Sequence, residues 1–83
     1  MATPQPTVLL VDDERDVVDV YALAFTGDEY SVRKAYSGEE ALEHVDGADV
    51  VLLDRRMPEL SGQDVLDEIR ERGLDVRVAM VTA

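Results

Sequence analysis

Three aspartates stand where they could do chemistry together. Asp12 and Asp13 follow Val8-Leu9-Leu10-Val11, and Asp54 follows Val50-Val51-Leu52-Leu53. Each apolar run reads as a buried strand that delivers acid at its carboxyl end. In an open parallel sheet, ligands bind outside those ends, where the strand order reverses. If the two strands are neighbours, Asp12, Asp13 and Asp54 converge at that point. Three carboxylates in one crevice repel one another, so the cluster either takes up protons or binds a cation. Oxygen ligands without Cys or a nearby His favour a hard ion, and an open crevice with few carboxylates suits Mg²⁺. Such an ion leaves positions for phosphoryl oxygens, and a carboxylate facing a phosphoryl group can act as nucleophile and form an acyl phosphate. Asp54 is therefore the candidate phosphate acceptor, with Asp12 and Asp13 as candidate metal holders. The plainer role for the acidic pair, capping the next helix, is compatible with holding a metal.

The elements that must position these acids follow one another regularly. Residues 7–11 form the first strand. Asp13 is placed to cap a helix over 14–26, with Asp16 three residues on and Val17, Val20, Tyr21, Ala24 and Phe25 as its inward stripe. Residues 30–35 alternate and read as an edge strand guarded by Arg33 and Lys34. Ser37-Gly38-Glu39-Glu40 is a capping box for a short helix whose apolar face is Ala41, Leu42 and Val45, closed by Asp46-Gly47. Residues 49–53 form the third strand. Ser61 with Asp64 opens a third helix facing inward through Val65, Leu66 and Ile69, with Gly73 at its end and Arg70 and Arg72 in the last turn. Residues 76–81 form a fourth strand. Strands alternating with helix-length crossovers predict an α/β fold, a doubly wound parallel sheet with helices on its faces.

Composition narrows the function classes. The 83 residues allow one small domain, residues 7–83, preceded by a loose tail at 1–6 that carries two prolines and does not read as a signal peptide. No apolar run approaches the roughly 20 residues of a membrane span, so a cytoplasmic protein is the default expectation. With no cysteine there is no disulfide and no thiolate metal site. Nineteen acids against eight bases, a formal charge of −11, argue against direct nucleic-acid binding by this segment. Seven of the bases are Arg and only Lys34 is Lys, a surface suited to a salt-rich cytoplasm. His44 and the Glu39, Glu40 and Glu43 cluster read as solvated surface.

The motifs, taken in order, resemble the receiver domain of two-component response regulators. Leu9-Leu10-Val11-Asp12-Asp13-Glu14 is similar to that family's acidic pair, and Leu52-Leu53-Asp54-Arg55-Arg56-Met57-Pro58 to its phosphoacceptor segment. Leu60-Ser61-Gly62 matches the small-residue turn that follows, and Met80-Val81-Thr82-Ala83 the hydroxyl-bearing end of the fourth strand. The closing run from Arg77 to Ala83, with Asp54-Arg55-Arg56-Met57-Pro58, is similar to receivers of haloarchaeal regulators of the HalX type. The resemblance implies a flavodoxin-like strand order 2-1-3-4. It also implies that Asp54 takes phosphate from a sensor histidine kinase, with Mg²⁺ held by Asp13, Asp54 and the backbone carbonyl of Arg56 and, through water, by Asp12. Thr82 would contact the phosphoryl group and report its arrival to a downstream output such as transcription.

Two departures from the family pattern stand out. The chain stops after the fourth strand, whereas the family continues through a helix, a strand and a final helix carrying a phosphate-contacting lysine and a switch aromatic. No catalytic lysine is therefore expected in this chain, which reads as a fragment of a longer regulator or as one that self-associates through the exposed edge of its fourth strand. Arg55-Arg56 stands where the family more often has an apolar and then a variable residue, which bears on the dephosphorylation rate. Two other functions compete. A degenerate receiver would serve only as a protein-docking module and would not bind Mg²⁺. A phosphatase of the haloacid dehalogenase type also forms an aspartyl phosphate on a parallel sheet, but it needs an acid two residues after its nucleophile, and Asp54 is followed by Arg55 and Arg56.

Overall fold

Four five-residue strands pair in parallel: β1 (Thr7–Val11), β2 (Ser31–Ala35), β3 (Val50–Asp54) and β4 (Arg77–Val81), in the order β2-β1-β3-β4. The computed structural model describes residues 5–25, 27 and 29–81. The crossovers are α1 (Arg15–Leu23), α2 (Gly38–His44) and α3 (Gly62–Glu71). This is the doubly wound sheet expected from the alternation of strand and helix patterns, with the expected strand order. Strand bounds differ from the sequence reading by one residue in β2, β3 and β4. The shift that matters is in β3, which takes in Asp54, paired in register with Val81.

Both faces of the central strands are covered, which is why their apolar runs are unbroken. Leu9 and Val11 of β1 join Val51 and Leu53 of β3 against Ala41 of α2, Val45 at the C-cap of that helix, and Val65 and Ile69 of α3. Val8 and Leu10 point the other way, onto Val18 of α1, with Tyr21, Ala22 and Phe25 packed beside it. A strand with one wet face would have shown polar residues at every second position.

α1 corrects the sequence reading in three respects. It begins later and ends sooner than 14–26. Glu14 is its N-cap and its side chain makes no capping bond. Asp13 does not cap it, because the Asp12 carboxylate has already turned the chain by accepting the Glu14 N–H at 2.9 Å. At the other end Ala24 and Phe25 donate to Tyr21 and Ala22, three residues back, so the last turn tightens and stops. The inward stripe is also rotated. Val18, Tyr21, Ala22 and Phe25 face the sheet, whereas Val20 is 63% exposed and Leu23 71%. The helix carries two overlapping apolar stripes, 17-20-21-24 and 18-21-22-25. Periodicity fits both, and only the position of the sheet selects one.

The other helices are fixed by local chemistry close to that expected. Ser61 Oγ accepts from the Asp64 N–H while the Asp64 carboxylate accepts from the Ser61 N–H, a complete capping box. At α2 only half the box forms. Ser37 Oγ accepts from Glu40, but Glu40 Oε1 takes the N–H of Tyr36. α3 ends with Gly73 at φ +69°, Gly73 N–H donating to Arg70 and Leu74 N–H to Ile69, a Schellman closure in which Leu74 packs into the core.

β2 is an edge strand, and its two bases are engaged. Lys34 pairs with Asp19 of α1 at 3.0 Å. Arg33 Nη1 donates to the carbonyls of His44 and Asp46 at 2.8 and 2.6 Å, closing the C-terminus of α2 from another element. Arg33→Ala should therefore lower stability by about 1 kcal/mol, since two carbonyls lose a charged donor while remaining open to water. Urea unfolding of the two proteins measures it, and an unchanged midpoint would show that the contact carries no stability.

Candidate functional site

The register of β1 against β3 builds the site. Val11 lies opposite Leu53, so Asp12, just past the end of β1, and Asp54, the last residue of β3, come side by side. One carboxylate oxygen from each of Asp12, Asp13 and Asp54 lies within 4.8 Å of the others. Among the described residues this is the one such group of potential ligands. Asp12 and Asp54 are half-buried and Asp13 is exposed, so the cluster opens to solvent on one side.

Two of the three acids are oriented by backbone. Asp12 accepts the Glu14 N–H, and its own N–H donates to the Ala35 carbonyl at 3.2 Å, tying the turn to β2. Asp54 Oδ1 accepts from the Arg56 N–H at 3.3 Å. Burial pushes the Asp12 carboxyl above its ordinary value, the Glu14 N–H offsets part of this, and the charges of Asp54 and Asp13 add to the rise. Among the described residues no Lys or Arg stands at ion-pair distance from the three acids. Arg15, the base nearest Asp12 and Asp13 in sequence, lies over the Tyr36 ring at 4.1 Å. The cluster is thus negative, part-desolvated and built of oxygen alone, and this donor set fits a hard divalent ion such as Mg²⁺.

Of the residues singled out from sequence, Asp12, Asp13 and Asp54 come together and Arg56 sits at the cluster's edge through its N–H. Thr82 lies outside the described residues. His44 is exposed on the last turn of α2.

The loop from β3 to α3 holds features the motif did not disclose. Met57 is buried as a plug in the larger core cluster. Glu59 takes φ +67°, a left-handed conformation for which Glu gives no sequence signal. Gly62 donates its N–H to the Arg55 carbonyl at 3.0 Å. A Cβ on Gly62 would stand 2.4 Å from the Asp54 carbonyl oxygen and 2.9 Å from the Arg55 Cα. The only sequence signal for this was a glycine immediately after a capping serine.

The response regulator receiver domain profile matches residues 8–83. A Haloferax volcanii protein described as a candidate transcriptional regulator is 56% identical over 80 residues, which cover 95% of this chain and 14% of that protein. The response regulator SaeR of Staphylococcus aureus is 36% identical over 92% of the chain and 34% of its own length. The chain thus spans a minor part of both curated relatives. Among solved structures, the response regulator TrrA of Thermotoga maritima, in complex with Mg²⁺ and BeF, superposes with a TM-score of 0.87 at 33% identity, covering 95% of this chain and 70% of that one. With the fold, the placement of the acids and the sequence all in agreement, the chain belongs to the response regulator receiver domains of two-component signalling.

Proposed function

We propose that residues 7–83 act as a phosphoacceptor: Asp54 receives a phosphoryl group from the phosphohistidine of a sensor kinase in a Mg²⁺-dependent step. A carboxylate oxygen of Asp54 forms the new O–P bond as the P–N bond to the histidine breaks, and the electron pair returns to the imidazole, which takes up a proton. Asp13, Asp54 and the Arg56 carbonyl would hold the ion directly, and Asp12 through water. When bound, Mg²⁺ supplies positive charge that offsets these carboxylates and the incoming phosphoryl oxygens. The Arg56 N–H holds the Asp54 carboxylate in place beforehand, so little reorganisation is needed. Thr82 would donate its hydroxyl to the phosphoryl group, and the added charge of about −1.5 to −2 would bias a two-state surface toward its partner. We further propose a cytoplasmic setting and an output borne elsewhere in the intact protein. Among the described residues no helix is long and apolar enough to cross a membrane.

The observation that carries this reading is the half-exposed Asp54, its carboxylate within 4.8 Å of two others at the carboxyl ends of adjacent strands. It is supported by the SaeR relative, itself a response regulator, and by the Mg²⁺ and BeF bound to TrrA. The test is to incubate the intact protein with a small phosphodonor, with and without Mg²⁺, and to map the modified residue by mass spectrometry. One Mg²⁺-dependent phosphoryl group on Asp54 is expected. An unmodified protein, or phosphate on another residue, would overturn the reading.

A further inference from the structure

We propose that Gly62 is a positioning residue for the phosphoacceptor pocket: the first residue of α3 lies on the Asp54–Arg55 peptide, and its missing side chain sets where that peptide sits. The proposal rests on the phosphoacceptor reading of Asp54.

Two glycines face the loop between β3 and α3 closely, and they differ in what they touch. A Cβ at Gly38 would meet the Cβ of Leu60 at 2.6 Å, the Leu60 carbonyl oxygen at 3.0 Å and a Val65 methyl at 3.0 Å, all of them remote from the carboxylates in sequence. The three atoms nearest a Cβ at Gly62 would all be backbone: the Asp54 carbonyl oxygen at 2.4 Å, the Arg55 Cα at 2.9 Å and the Asp54 carbonyl carbon at 3.1 Å. Backbone inside a strand end cannot rotate away as a side-chain tip can. Asp54 is the last residue of β3, and Arg55 N–H continues the ladder to the Val81 carbonyl at 3.4 Å. α3 cannot retreat freely either, because the Ser61–Asp64 box fixes its first turn and Val65 and Ile69 are fully packed beneath it. An atom added at 62 must therefore push the Asp54–Arg55 peptide. That peptide carries the Asp54 side chain at one end and leads directly into Arg56, whose N–H orients the carboxylate. Restoring even 3.0 Å from a 2.4 Å approach takes 0.6 Å, more than the about 0.5 Å within which such a site must be held.

Mg²⁺ titration of the intact protein, followed by NMR, reads this without any phosphoryl chemistry. Gly62→Ala should raise the Mg²⁺ dissociation constant about tenfold, whereas Gly38→Ala, an equally buried insertion in the same layer, should leave it within about threefold. A merely structural role would move both variants together. In the wild-type protein the Gly62 amide, whose N–H bonds the Arg55 carbonyl, should shift on Mg²⁺ addition, unlike the remote Gly47 and Gly73. Should Gly62→Ala fail to fold, this wild-type titration decides. A folded Gly62→Ala that binds within threefold of wild type, an equal loss in Gly38→Ala, or an unmoved Gly62 amide overturns the proposal. A wild type that binds no Mg²⁺ overturns the phosphoacceptor reading as well, so the two failures are distinguishable.

Discussion

Asp54→Asn is expected to abolish phosphoryl uptake outright, while Asp12→Asn removes most Mg²⁺ affinity and stabilises the metal-free protein. The two acids share one pocket, yet the chemistry asked of each differs. An Asn at position 54 keeps the oxygen that accepts the Arg56 N–H, so the loop should stay in place. It lacks a carboxylate nucleophile, and no acyl phosphate can form. At Asp12 the Asn oxygen can still accept the Glu14 N–H, preserving the turn into α1. What disappears is a part-buried charge beside two others. Because burial and those neighbours raise the folded pKa of Asp12 above 3.8, the folded state binds its proton more tightly than the unfolded chain does. That contribution to stability is present at low pH and is lost as pH rises through the raised value, leaving the ionised Asp12 as a cost at neutral pH. Asp12→Asn should thus gain stability in denaturant unfolding without metal, a small gain because solvent screens this partly open site. It should also weaken Mg²⁺ binding about a hundredfold by calorimetry, the equivalent of ~3 kcal/mol. A variant that loses stability and keeps its metal would place the value of Asp12 in its turn and not in its charge.

Leu9→Ala is expected to cost about 3–5 kcal/mol, enough to remove a large share of the ~5–15 kcal/mol of a typical domain. Leu9 is wholly buried in the middle of the sheet, flanked by Arg33 of β2 and Val51 of β3 in register, and packed in the cluster beneath α2 and α3. Both neighbours are hydrogen-bonded strands, so the backbone cannot collapse into the void, and the cavity term adds to the lost transfer energy. The same change tests the tie between core and site, since Leu9 lies only three residues before Asp12. Urea unfolding gives the stability, and a loss below about 1 kcal/mol would mean the sheet can close over the gap.

Much of the site was legible because its signals are local and strong. Four apolar residues running into acid occur twice, at Val8 and at Val50, and a parallel sheet leaves little choice about where such strand ends lie. Ser61 and Asp64 announced the start of α3 for a similar reason: a capping box closes within four residues and needs no distant partner. The misses had two sources. Asp13 looked like the cap of α1, but its neighbour Asp12 captured the Glu14 N–H, a choice between two adjacent acids that composition leaves open. Arg33 does stand on an edge strand, but its second task, closing the end of a helix more than ten residues away, had no local signal.

By itself the sequence determined the order of strands and helices, the burial of β1 on both faces, and the three acids gathered at one end of the sheet. Tertiary structure decided which of two equally periodic stripes of α1 turned inward, how β3 extends to include Asp54, and why residue 62 has no room for a methyl group. The division has a physical basis. Hydrogen bonds within a turn and alternation along a strand are properties of neighbouring residues, whereas helix rotation and backbone-to-backbone approach depend on surfaces that meet only once the chain has folded.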